Sequence, residues 1–150
     1  MHWGELALKI NIICVGRLKE AYFLQAQKEY LKRLQPYATI NIIEIAYDSN
    51  AEALLAKNMQ EGYIIALALD GKALSSDDLA AKIKNYGIDG KSNISFIIGG
   101  SEGISQKILQ KCNEKFSLSK LTFPHRLARI IWLEQIYRAF KIIKNEPYHK

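Results

Sequence analysis

Three groups of residues have types and spacings suited to chemistry. The first is Gly99-Gly100-Ser101-Glu102-Gly103, placed directly after the apolar run Phe96-Ile97-Ile98. Glycines let a backbone approach a ligand closely and adopt positive φ, so this segment can cradle a ligand or simply turn a strand into a helix. Its spacing is not G-x-G-x-x-G, and it lacks the lysine of a phosphate-binding P-loop. The second group is Leu118-Ser119-Lys120-Leu121-Thr122-Phe123-Pro124. Two hydroxyls, several backbone amides and apolar side chains suit a cleft for an adenine-like ring, and Pro124 can end a strand and open a helix at Arg126. The third group is basic and aromatic. Arg126 and Arg129 share a helix face, and Arg138 stands four residues after Glu134. That spacing allows either an intrahelical ion pair or a cation turned toward a phosphate or base. Tyr148-His149-Lys150 adds a stacking ring, an imidazole and a charge, although terminal residues also commonly fray.

Charge is distributed unevenly around these groups. Residues 106–150 hold ten lysines and arginines against three acidic residues, whereas residues 1–105 hold eleven against twelve. The net charge of +6 therefore arises in the C-terminal segment. An anionic partner, nucleic acid foremost, fits that asymmetry, and so does a solvated basic helix. The three histidines, His2, His125 and His149, are dispersed and pair with no cysteine or carboxylate at metal-ligand spacing. No metal site is expected, and His125, next to a proline, reads as a structural hydrogen-bonder. Cys14 and Cys112 lie far apart; Cys14 sits in an apolar run and reads as a buried thiol, consistent with a reducing compartment. Residues 1–7 are neither basic nor apolar enough for a signal peptide, and no window approaches a membrane span.

The elements that must position these residues alternate. Strands are expected over residues 10–15, 40–45, 63–69, 94–98 and 116–119. Helices are expected over 20–34, 51–59, from about 76 to Gly87, over 106–112 and over 126–143. Asp70-Gly71-Lys72 reads as a turn, and Ser75 and Ser105 read as helix caps. On the last helix, Leu127, Ile130, Ile131, Leu133, Tyr137 and Phe140 are the expected buried positions. This order predicts one α/β domain over residues 1–150, with a mostly parallel sheet flanked by helices. Ligands of such sheets gather at the carboxyl ends of strands, here after Leu67, Ile98 and Ser119.

Taken together, residues 96–103, 118–125, 134–142 and 147–150 closely resemble the RlmH family, small SPOUT-class methyltransferases of the ribosomal large subunit. The resemblance runs from about Lys9 onward, so residues 1–8 read as an extension outside it. It implies a C-terminal trefoil knot, a rare exception to the rule that chains do not thread loops. It also implies a cytoplasmic homodimer, S-adenosylmethionine as cofactor, and methyl transfer to N3 of a pseudouridine in helix 69 of 23S rRNA within the 70S ribosome. By position, the resemblance assigns cofactor contacts to Leu67, Gly100, Ser119, Lys120, Leu121, Thr122, Phe123 and Pro124. It assigns catalytic roles to Arg138, Tyr148 and His149, the tail reaching the partner subunit's pocket. Ala68 stands where the family commonly has an acidic residue, with Asp70 further along. Two other readings compete: a non-catalytic RNA- or ribosome-binding protein that keeps the fold, and a nucleotide-binding oxidoreductase, which the missing G-x-G-x-x-G disfavours.

Overall fold

β-branched runs flanked by helix-capping residues produce five strands and five helices in strict alternation. The computed structural model describes residues 7–148. The elements are β1 (Lys9–Val15), α1 (Ala21–Leu34), β2 (Thr39–Ile45), α2 (Ala51–Asn58), β3 (Tyr63–Ala73), α3 (Ser76–Ile88), β4 (Asn93–Ile98), α4 (Gln106–Leu109), β5 (Glu114–Ser117) and α5 (His125–Ile143). The strands form one sheet in the order β2-β1-β4-β3-β5, and every pairing is parallel.

Strand periodicity sorts the core into two layers. Ile10, Ile12 and Cys14 of β1, Ile65 of β3 and Ile94, Phe96 and Ile98 of β4 face one way, toward Leu34 of α1, Ile83 of α3 and Leu133 and Phe140 of α5. Ile13, Val15, Ile64 and Ile97 face the other way, toward Leu55 of α2 and Ile108 of α4. The interior strands are therefore covered on both sides, which explains their unbroken apolar sequences. Buried polar groups in this sheet are paired: Asn41 donates to Asn11 (3.2 Å), and Asn11 donates to Asn93 (3.0 Å) and Ser95 (3.1 Å). Cys14 is 2% exposed, and burial pushes its thiol up to about 12, as expected of an inert core cysteine.

Ser75 caps α3 in a reciprocal capping box with Asp78, and the Ser105 hydroxyl accepts from the Ile108 amide. Several expectations are corrected. Asp70-Gly71-Lys72 is not a free turn but belongs to β3, whose pairing with β5 shifts between Leu67 and Lys72, both opposite Phe116. A Cβ at Gly71 would lie 2.6 Å from the Phe116 carbonyl carbon, so only glycine lets the bulged strand lie against β5. β5 ends at Ser117, leaving Ser119 in the following loop, and α4 stops at Leu109. α3 continues through Gly87 to Ile88.

The buried stripe of α5 is also rotated from expectation. Arg129, Ile130, Trp132, Leu133, Ile136, Ala139 and Phe140 are buried, whereas Leu127 is 37% exposed and Ile131 and Tyr137 are only half-buried. The helix packs between α1 and α3, and a buried arginine near its start sets which face turns inward. Leu8, placed in the extension by the sequence reading, is 3% exposed and joins the core, its carbonyl accepting from Thr39. Among the described residues, no helix is long and apolar enough to cross a membrane.

Candidate functional site

The carboxyl ends of β3, β4 and β5 open into a cleft of about 960 Å³, a volume typical of small-molecule sites. Its first wall is Leu67 to Asp70, where β3 leaves its regular pairing with β5. Its second is Ile98 to Ile104. Here Gly103 has φ +76° and donates from its amide to the Gly100 carbonyl at 2.9 Å. A Cβ on Gly99 would come within 2.6 Å of the Gly103 carbonyl group. Glycine composition therefore builds the turn itself, and the ligand-facing backbone follows from it.

The third wall runs from Ser117 to His125, omitting Lys120. Its shape is set by its own hydroxyls: Ser117 donates to the Ser119 carbonyl (3.0 Å), and the Ser119 hydroxyl accepts from the Leu121 amide (2.9 Å). Pro124 supplies the N-cap position of α5 with an extended ψ of 139°. The cleft thus collects Leu67, Gly100, Ser119, Leu121, Thr122, Phe123 and Pro124 as the sequence expected. Lys120 is exposed and stands outside the lining, because the Ser119-centred turn takes it to the outer side of the loop. Ala68, Asp70, Glu102, His125 and Ala128 also line the cleft. Ala68 and Asp70 were noted at a strand end and Glu102 within the glycine segment; the part of His125 and Ala128 in this wall was not foreseen. Asp70 pairs with Lys115 at 3.1 Å.

A buried ion pair fixes the first turns of α5 against the ends of β1 and β2. Arg129 bonds Glu44 (2.6 Å), the Gly16 carbonyl (3.2 Å) and Gln27 (3.3 Å). Glu44 also accepts from the Leu18 amide at 3.0 Å. Burial opposes ionisation of Glu44, but the bonds from Arg129 and Leu18 outweigh it and hold the carboxyl below its ordinary range. One turn earlier, Arg126 pairs with Glu20 at 3.4 Å. His125 lies against Gly16: its Nε2 is 3.6 Å from where a Cβ would stand on that glycine. Burial, reinforced by Arg126 and Arg129, lowers its pKa and favours the neutral imidazole. His125, expected as a structural hydrogen-bonder, also lines the cleft, because the Pro124 cap starts the helix at its edge.

Arg138 and Tyr148 meet elsewhere, on Glu134. The Arg138 guanidinium bonds Glu134 at 2.9 and 3.1 Å, and the Tyr148 hydroxyl donates to the same carboxylate oxygen at 2.9 Å. The guanidinium also lies 4.5 Å from the centre of the Tyr148 ring. Burial, and then Glu134, raises the Tyr148 phenol well above its ordinary range. Glu134 thus holds both residues; its i,i+4 spacing to Arg138 was visible in sequence, its bond to Tyr148 was not. At 1.5 Å per residue, the thirteen residues from His125 to Arg138 span about 20 Å of helix. The last cleft-lining residue of the helix is Ala128, from which Glu134 is about 9 Å and Arg138 about 15 Å further along α5. His149, the third expected catalytic residue, lies outside the described residues. Among the described residues no cluster of metal-ligating side chains occurs.

The family model described as "Predicted SPOUT methyltransferase" matches residues 8–149. Curated proteins named ribosomal RNA large subunit methyltransferase H are similar over nearly the whole chain. That of Desulforamulus reducens is 46% identical, covering 95% of this chain and 99% of its own. Those of Enterococcus faecalis and Alkaliphilus oremlandii are 45% and 47% identical, each covering 95% of this chain and all of its own. A solved structure of a probable methylase family protein from Haemophilus influenzae shares the fold, with TM-score 0.60 at 14% identity, covering 94% of this chain and 70% of its own. The chain belongs to the SPOUT methyltransferase family, in the group named for ribosomal RNA large subunit methyltransferase H.

Proposed function

We propose that this SPOUT methyltransferase family member uses S-adenosylmethionine to methylate N3 of a pseudouridine in helix 69 of 23S rRNA, acting as a cytoplasmic homodimer on the assembled 70S ribosome. The observation that carries the cofactor reading is the three-walled cleft at the ends of β3, β4 and β5. Its walls combine backbone groups at Leu67 and Gly100, a hydroxyl-braced loop from Ser119 to Pro124, and apolar surface from Ile98 and Phe123. That mixture fits a nucleoside with a polar tail, and the cleft volume of about 960 Å³ accommodates one. Glu102 on the same walls favours a cationic ligand, whereas Asp70 is already paired with Lys115 and Ala68 stands in place of the family's acidic residue. Bound there, S-adenosylmethionine would supply an already activated methyl group.

The remaining work falls to this chain's own residues, and it consists mainly of orientation. Arg138 can stabilise negative charge developing on the base or hold a phosphate. Glu134 fixes its guanidinium beneath the Tyr148 ring. Tyr148 and His149 would position the base. The homodimer belongs to this reading through the family: neither Arg138 nor Tyr148 lines the cleft of its own chain, and a second copy would bring them to it. The C-terminal knot belongs to this reading through membership of the SPOUT family. The family match begins at residue 8, and Leu8 joins the core, so this reading leaves only residues 1–7 outside it.

The test is nucleoside mass spectrometry of 23S rRNA from a strain lacking the protein, with and without the gene restored. Loss and return of N3-methylpseudouridine is expected. Unchanged methylation in the deletion strain would exclude this substrate. Thermal melting separates the enzyme from a non-catalytic relative: stabilisation by S-adenosylmethionine but not by NAD is expected.

A further inference from the structure

The segment between β1 and α1 carries two cations that the fold leaves uncompensated at the edge of the cleft. It touches two cleft walls. A Cβ on Gly100 would lie 3.4 Å from Val15, and a Cβ on Gly16 would lie 3.6 Å from the His125 imidazole. Arg126, next to His125, fastens the segment: its Nε donates to the Arg17 carbonyl at 3.4 Å, and its guanidinium pairs with Glu20 at 3.4 Å. Leu18 anchors it in the interior, 6% exposed, with its amide donating to Glu44. Arg17 and Lys19, on either side of Leu18, are exposed. The carboxylates that feel their charge are already occupied, Glu44 by Arg129 and Glu20 by Arg126. Neither Arg17 nor Lys19 forms an ion pair among the described residues. The near-even charge count of residues 1–105 conceals this local excess. Exposed cations without partners add little to the fold, whereas two of them on a braced segment attract an anion.

We propose that Arg17 and Lys19 are docking contacts for backbone phosphates of the RNA strand whose base enters the cleft. Phosphate contacts fix the register and orientation of a nucleic acid without reading its sequence, which is what a site receiving a single base requires of its rim. The Cα atoms of the two residues are within about 8 Å of each other, close enough to serve one strand. Arg126 and Arg129, committed to carboxylates, hold this segment and α5 in place and leave the phosphates to Arg17 and Lys19. This inference rests on the RNA methyltransferase reading for the identity of its anion, but docking is tested apart from methyl transfer.

The experiment is co-sedimentation of the full-length protein with 70S ribosomes, taken from a strain lacking it, across a range of KCl concentrations. The logarithm of the binding constant falls linearly with the logarithm of salt, by about 0.7–0.9 per phosphate contact. Replacing both cations, Arg17→Gln with Lys19→Gln, should make that slope shallower by roughly 1.5 and weaken binding about tenfold to fiftyfold at 0.1 M salt. KM for ribosomes should rise in parallel, while kcat at saturating ribosomes and the S-adenosylmethionine melting shift stay as in the unmodified protein. Arg17→Lys with Lys19→Arg keeps both charges and should restore binding. Lys57→Gln with Lys84→Gln removes two exposed lysines from α2 and α3, near where these helices lead into the amino ends of β3 and β4, and should leave the slope unchanged. An unaltered slope in the Arg17 and Lys19 variant, an equal loss in the Lys57 and Lys84 variant, or no co-sedimentation of the unmodified protein even at low salt would overturn the proposal. So would a change in the oligomeric state of the Arg17 and Lys19 variant by sedimentation velocity, which would assign the cations to a contact between copies. Charge-dependent co-sedimentation by a protein that transfers no methyl group would instead count against the methyltransferase reading and leave the docking contacts standing.

Discussion

Glu44→Gln removes the counter-charge of a buried arginine and should destabilise the fold measurably. The Arg129 side chain is 2% exposed, and its strongest partner is the Glu44 carboxylate at 2.6 Å. Its other partners, the Gly16 carbonyl and Gln27, are neutral, and its Nε has no partner among the described residues. A glutamine at 44 can still accept a hydrogen bond but leaves the guanidinium without compensation. Removing one member of a buried pair costs about 3–5 kcal/mol. The Glu44 side chain is 31% exposed, so water offsets part of the loss and about 2–3 kcal/mol is expected. For a domain of this size each kcal/mol lowers Tm by about 2–4 °C, which gives a fall of roughly 4–12 °C at pH 7. The sign with pH follows from the carboxyl's lowered pKa. Its contribution is present above the ordinary value of 4.5 and is lost as pH falls through the folded-state value. The gap between the two proteins should therefore be full at neutral pH and shrink in acid. Scanning calorimetry at pH 7 and near pH 3.5 measures both. A Tm within about 1 °C of the unmodified protein at pH 7, or a gap that persists in acid, would refute the assignment of Arg129 and Glu44 as a stabilising pair.

Gly99→Ala places a methyl 2.6 Å from the Gly103 carbonyl, so the turn must open; roughly 1–3 kcal/mol of stability and most of the S-adenosylmethionine melting shift should be lost, as isothermal calorimetry and thermal melting would register. Removing Tyr148 to Lys150 should abolish rRNA methylation while leaving the cofactor melting shift intact; full methylation by mass spectrometry would disprove the tail's role. His125, whose pKa is lowered from 6.5 by burial and by Arg126 and Arg129, favours folding above that value and loses its contribution as pH falls through the folded-state pKa. His125→Gln should flatten the decline of Tm between about pH 6.5 and pH 5, and parallel melting curves for the two proteins over that range would contradict it.

The alternation of strands and helices was legible in the chain because it rests on short-range physics. β-branched runs favour extended backbone, Ser75 and Ser105 mark helix starts, and glycines at 99–103 permit a tight turn. The strand ends therefore pointed to most of the cleft, and the resemblance extended that to Arg138 and the tail. What sequence alone left undecided depended on groups distant in the chain. Asp70-Gly71-Lys72 looks like a turn locally, but β5 approaches so closely that Gly71 is drawn into a bulged strand. Arg129 looks like a surface cation, but Glu44, 85 residues away, makes its burial tolerable and with it sets the inward face of α5. Glu134 looks like half of an ordinary helical ion pair until Tyr148 folds back onto it. Local propensity decided the elements; the ion pairs and close backbone approaches of the folded chain decided which side chains met, Arg129 on Glu44 and Arg138 with Tyr148 on Glu134.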